Sequence, residues 1–104
     1  MIVRLIRARS GVDAKGVFDS DTGSLTVLSG SKVSNDIRYT EKSKGAKTIE
    51  INRSKYVKNG IVYKDAPFKS ASTAANFVTG GITNGLVAWK TEDGKALREI
   101  IKGK

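Results

Sequence analysis

A run of small residues, Ser70-Ala71-Ser72-Thr73-Ala74-Ala75-Asn76-Phe77-Val78-Thr79-Gly80-Gly81, sets the tightest limit on how this chain packs. Ala71, Ala74, Ala75 and Val78 recur at helical spacing, which predicts a helix over 70–79. Ser70 or Ser72 suits its start, because a serine hydroxyl accepts from orphan backbone N–H groups. Gly80-Gly81 stops it. A helix face made mostly of alanine permits very close approach to a sheet, so strands are expected beneath it.

The first third of the chain supplies them. Residues 3–8 are β-branched and aliphatic and read as a strand ending at Ser10-Gly11, and 14–19 read as a second. Asp19-Ser20-Asp21-Thr22-Gly23 is a concentrated turn signal. Ser24-Leu25-Thr26-Val27-Leu28 reads as a third strand closed by Gly30, giving an antiparallel meander. Residues 34–47 are polar and charged with no apolar periodicity, and read as a long basic loop.

Residues 56–63 support two readings. Asn59-Gly60 between β-prone residues is a strong hairpin cue. A short helix over 52–59 with Gly60 as its left-handed C′ residue competes with it. Further on, Asn84-Gly85 turns the chain into an expected strand, Leu86-Val87-Ala88-Trp89, which carries the sole tryptophan. Asp93-Gly94 then precedes a last helix with an apolar stripe of Leu97, Ile100 and Ile101. The 104 residues amount to a single domain, 1–104, of α+β class. Its architecture is expected to be a small, mainly antiparallel sheet of four or five strands packed by two or three short helices.

Chemistry is scarce. The chain has no histidine and no cysteine, which removes Ser-His-Asp and Cys-His nucleophiles and the common zinc sites. The carboxylate pairs Asp19 with Asp21 and Glu92 with Asp93 sit where turns use such residues for backbone reasons. Gly30-Ser31-Lys32 lacks the upstream glycine of a P-loop. No enzymatic activity, cofactor or metal is therefore expected. No apolar run approaches membrane-spanning length, and the expected location is cytoplasmic. Membrane-surface binding is disfavoured, because no helix combines a basic face with large exposed apolar residues.

Nineteen Lys and Arg against ten Asp and Glu give a net charge of +9. A solvated face and an electrostatic footprint for phosphates are the two readings of such an excess. The excess is uneven. Arg38, Lys42, Lys44, Lys47, Arg53, Lys55, Lys58 and Lys64 face only Glu41 and Glu50 across the middle of the chain. Tyr39, Tyr56 and Tyr63 lie in the same stretch, and aromatics among cations stack bases in some proteins. Tyr56 and Tyr63 read better as core or half-buried, which leaves Tyr39 as the exposed candidate. Phe68, Phe77 and Trp89 are assigned to the core. Ser29-Gly30-Ser31-Lys32 is either a phosphate ligand, through backbone N–H groups and the ammonium, or a plain turn.

Four ordered blocks carry a family resemblance. The stretch from Gly16 to Lys32 resembles the first half of a small domain family of unknown function, commonly appended to GIY-YIG-type nucleases. Arg53-Ser54-Lys55-Tyr56-Val57-Lys58-Asn59-Gly60-Ile61-Val62 is similar to that family's helix followed by Gly-Ile-Leu. Phe68-Lys69-Ser70-Ala71-Ser72-Thr73-Ala74-Ala75 resembles its Phe-x-Ser-Pro-Ser-x-Ala-Ala block, with Ala71 in place of proline. Asn84-Gly85-Leu86-Val87-Ala88-Trp89-Lys90 and Asp93-Gly94-Lys95 resemble its Asn-Gly-Trp-x-x-Trp and Asp-Gly-Lys elements, with Leu86 replacing the first tryptophan. The second half is also distantly similar to the RAMA module, which is associated with restriction enzymes and adenine methylases and thought to engage modified DNA. The resemblance tips 52–59 towards helix, against propensity.

Charge and resemblance together point to a non-enzymatic nucleic-acid-binding domain, with DNA favoured. Arg38, Lys42, Lys44, Lys47, Arg53, Lys55 and Lys58 are the expected phosphate contacts, with Lys32 reinforcing them and Tyr39 beside them. The alternative is a protein-interaction module that docks onto a nuclease, a methyltransferase or another chain through the groove beside the alanine-faced helix and Trp89.

Overall fold

Alternation of side chains builds the main sheet, because successive residues of a strand point to opposite faces. Strand β1 (Ile2–Arg7) buries Val3 and Leu5 and exposes Ile2, Arg4 and Ile6. Strand β2 (Val12–Phe18) buries Val12, Ala14 and Phe18 and exposes Asp13, Lys15 and Val17. A 3₁₀ turn, Ala8–Ser10, joins them and closes on Gly11 at φ 75°. The computed structural model of the protein describes residues 1–34 and 44–102, with side chains left out at 44–46 and 102.

The acidic turn closes as its residues dictate. The Asp19 carboxylate accepts from the Asp21 and Thr22 N–H groups at 2.9 and 3.4 Å. Strand β3 (Leu25–Val27) follows and completes the expected meander. A helix, α1 (Lys44–Tyr56), leads into strands β4 (Val57–Lys58) and β5 (Ile61–Val62), and strand β6 (Ala66–Phe68) then pairs with β3. The main sheet is antiparallel in the order β1-β2-β3-β6. The strand at 66–68 is not evident from the sequence pattern. Pro67 has no N–H for a ladder, but β6 is an edge strand, where proline is tolerated.

One face of this sheet is covered. Helix α2 (Ala71–Thr79) contacts β2, β3 and β6 and buries Ala71, Ala74, Ala75, Phe77 and Val78. The Ser70 hydroxyl caps it, accepting from the Thr73 N–H at 3.1 Å, and Gly80 ends it at φ 77°. Phe77 packs on Phe68 with ring centroids 4.9 Å apart. The helix, its cap and its stop all follow the sequence reading.

Three expectations need correction. The basic stretch 34–47 is not loop throughout, since α1 already begins at Lys44; residues 35–43 lie outside the described residues. Among the described side chains of α1 only Ile49 is buried, with Arg53 and Tyr56 half-buried on the same helical face, so tertiary contacts and not apolar periodicity anchor the helix. At its end both competing readings meet. The helix stops at Tyr56, short of Asn59, and β4 and β5 then form a hairpin with Asn59 at φ 55° and Gly60 at φ 77°. Two central residues at positive φ are the signature of the type I′ turn that an Asn-Gly pair favours.

The third concerns 86–89. This segment is not a strand: helix α3 (Gly85–Ala88) starts at an Asn84 cap whose side-chain oxygen accepts from the Leu86 N–H. Gly85 lies so close to α2 that a Cβ there would sit 2.2 Å from the Ala71 carbonyl carbon. Trp89 turns inward behind α3, fully buried, and its indole N–H donates to the Ala71 carbonyl at 3.0 Å. Helix α4 (Leu97–Lys102) buries Leu97 and half-buries Ile100, but Ile101 is 42% exposed, so the expected stripe loses its last residue.

A methyl group at position 85 would collide with backbone, which cannot swing aside. Gly85→Ala is expected to destabilise the fold by about 3 kcal/mol, lowering the thermal midpoint by about 10 °C or more. A midpoint shift of a degree or two would show that α2 and α3 do not pack this closely.

Candidate functional site

Strand register decides which cations share a surface, because residues directly opposite in an antiparallel ladder project from the same face. On the uncovered face, Lys90 lies opposite Arg4, and Arg4 lies opposite Lys15. A second row runs Ile6, Asp13, Lys32, Ile61, Lys58, each paired with the next. Lys32 thus joins the hairpin to the main sheet, helped by Gly30 N–H to Val62 O at 2.7 Å and Val33 N–H to Gly60 O at 3.0 Å. All of these side chains are exposed. The open face therefore gathers Arg4, Lys15, Lys32, Lys58 and Lys90 around a single carboxylate in these rows, Asp13.

Two hollows meet at Arg4 on this face. Ile6, Val87, Lys90 and Glu92 help to line one, while Asp13, Lys15, Ser29 and Lys32 help to line the other. Among the described residues the ion pair found is Lys95 with Asp93 at 4.0 Å, both well exposed. None of the five face cations has an ion-pair partner there.

The expected phosphate contacts divide. Lys32 and Lys58 stand on the open face. Lys47 and Lys55 are exposed on α1, which packs against α2 in the helical layer. Lys44 opens α1, and Arg38, Tyr39 and Lys42 lie outside the described residues. Arg53 needs correction. Its guanidinium is half-buried and donates to Phe77 O at 3.0 Å, Ser34 O at 2.9 Å, Ser34 Oγ at 2.9 Å and, more weakly, Val78 O at 3.4 Å. Burial draws its pKa downward, and its donors are committed to the fold rather than to a ligand.

The 29–32 turn also resolves. Ser29 N–H donates to the Asp65 carboxylate, Gly30 N–H to Val62 O, Ser31 N–H to Leu28 O and Lys32 N–H to Asp13 O. No backbone donor remains to cradle a phosphate, so only the Lys32 ammonium is available to one. The carboxylate pairs are turn residues as read. Asp19 is held below its ordinary pKa by the Asp21 and Thr22 N–H groups, and Asp93 by the Thr91 hydroxyl and further by its own backbone N–H. Both are thus kept ionised, and the stabilisation they give is lost only as pH falls through their lowered values.

Trp89 lies in the core as expected, whereas Tyr63, expected in the core or half-buried, is exposed. The Trp89 ring is fully buried and lines no groove. Tyr63 is 52% exposed rather than half-buried, with its hydroxyl donating to Lys55 O at 2.5 Å and the Lys64 ammonium 5.7 Å from its ring centroid. Sequence reasoning missed Arg4, Lys15 and Lys90 as site residues. A signal was present, since Arg4 and Lys15 occupy the polar positions of alternating strands, but their apposition needed the register.

Residues 5–101 match the model of a family described as a domain of unknown function (DUF4357). Neither a curated protein nor a solved structure matches the chain. Among the described residues, no group of acidic side chains is placed to hold a metal ion, and no helix is long and apolar enough to cross a membrane.

The Arg53 contacts predict a structural phenotype. Arg53→Ala is expected to cost about 2 to 3 kcal/mol in urea denaturation, because hydrogen bonds to a charged group are lost and buried carbonyls are orphaned. Lys55→Ala should stay within about 0.5 kcal/mol of the parent. Equal effects of the two would remove the distinction between them.

Proposed function

We propose that this chain, which belongs to the DUF4357 family, is a non-enzymatic accessory domain that binds nucleic acid, DNA in the first instance, through the phosphate backbone. One observation carries the reading: five cations stand on the open sheet face without ion-pair partners among the described residues, beside a single carboxylate in the same rows. Like charges on neighbouring strands repel one another, and a polyanion laid across them relieves that repulsion while releasing its own counterions. Contacts of this kind position a protein without reading sequence. The resemblance of the chain to nuclease-appended domains supports DNA as the polyanion, with any nuclease or methyltransferase chemistry carried by another module.

A second reading, docking onto such a partner chain, draws on Ile82 at 85% exposure and Val87 at 44%, apolar side chains flanking the Asn84 turn. It no longer has Trp89 to offer, since that ring is enclosed.

Charge reversal separates the surfaces. Arg4→Glu with Lys15→Glu is expected to weaken duplex DNA binding at least tenfold in a fluorescence-anisotropy titration at low salt. Lys47→Glu with Lys55→Glu should weaken it by less than threefold. Unchanged affinity in the first double variant, with folding verified by circular dichroism, would rule out the open face as the interface.

A further inference from the structure

We infer that the open sheet face takes double-stranded rather than single-stranded nucleic acid; the inference rests on the nucleic-acid reading above and specifies its ligand. From Lys90 through β1, β2, Lys32 and β5 to Lys58 there are five inter-strand steps, a span of about 24 Å at 4.7–4.9 Å each. At 3.4 Å per base step that is roughly seven base pairs of a duplex laid along the row. A rigid array of charges of that length meets phosphates that a duplex already holds in fixed positions, whereas a flexible single strand must first be ordered.

The chemistry between the cations points the same way. Proteins that grip single strands without sequence preference stack successive bases on aromatic rings. On this face the apolar residues between the cations are Ile2, Ile6, Val17 and Ile61, and the polar ones are Asp13 and Thr26; none of the six offers a stacking plane. Among the described residues the other aromatic rings are elsewhere: Phe18, Phe68, Phe77 and Trp89 are buried, and Tyr56 meets Phe77 edge-on at 6.4 Å. Tyr63 is exposed at the rim, beyond Ile61, but its hydroxyl is tied to Lys55 and Lys64 stands over its ring. One tethered ring at the rim does not make a stacking platform. Base reading requires an element inserted into a groove, and these cations stand on a sheet face and not on a projecting helix.

The test compares a fluorescein-labelled 20-base-pair duplex with a mixed-sequence single strand of the same length, both titrated with the whole chain at several salt concentrations. The duplex is expected to bind at least tenfold more tightly. Scrambling its sequence should change affinity by less than twofold. The slope of log affinity against log salt should be about −4.5, from roughly 0.9 per phosphate met by each of five cations, and Arg4→Ala with Lys15→Ala should make it shallower by about 2. A single strand bound as tightly as the duplex, and released by Tyr63→Ala, would overturn the duplex assignment while leaving nucleic-acid binding in place. Absence of salt-sensitive binding to either probe would remove both.

Discussion

Ala71 is where the helical layer closes on itself: its carbonyl accepts the Trp89 indole N–H, and its backbone lies against that of Gly85. The contact is possible only because Gly85 has no side chain, and it sets what comes next in the chain. With Trp89 pinned beneath α3, the following residue, Lys90, exchanges backbone hydrogen bonds with Arg4 at 2.7 and 2.9 Å. A buried packing contact on one side of the sheet thereby positions a cation beside another on the opposite side. The alanine face of α2 has the same double effect. It seals one face of the sheet so closely that the other is left to solvent.

The two kinds of basic residue in this chain show what distinguishes a structural cation from an available one. Arg53 reaches into a region where the carbonyls of Ser34, Phe77 and Val78 converge, and its planar set of donors satisfies them together. Arg4 stands on an open face with Lys15 and Lys90 as its cross-strand neighbours and has no ion-pair partner among the described residues. The first arrangement contributes to folding, whereas the second opposes it through repulsion. A fold that keeps several cations side by side gives up some stability, which an anionic ligand restores on binding.

Much of the frame was legible because it is local. The α2 cap and stop, the opening meander and the acidic turn each depend on a few adjacent residues; the Asn59-Gly60 hairpin was signalled locally too, but the resemblance tipped that segment towards helix. What escaped the sequence depends on distant partners. Helix α3 owes its form to Gly85 packing on Ala71, fourteen positions earlier, where the bare pattern Leu-Val-Ala-Trp suggests a strand. Helix α1 has little apolar periodicity and is held by Arg53 and by the Tyr56–Phe77 edge contact. The site divides on the same line. Lys32 and Lys58 were found through charge density, while Arg4, Lys15 and Lys90 come together only through strand register.

Register also explains why net charge by itself says little about an interface. A slip of one residue in the β4–β5 hairpin would carry Lys58 to the face where Val57 and Val62 pack, and Val57 out to solvent. The type I′ turn at Asn59-Gly60 prevents that slip by fixing a two-residue connection. Arg7 shows the contrast: it lies opposite Val12, out of phase with Arg4, and so stays off the rows that carry the other cations. Three strand-borne cations, Lys32 on its bridges to Asp13 and Ile61, and Lys90 after Trp89 reach a common face because turns and bridges set the parity of each. The same nineteen basic residues with a different parity would give an equally charged protein with no continuous row of them.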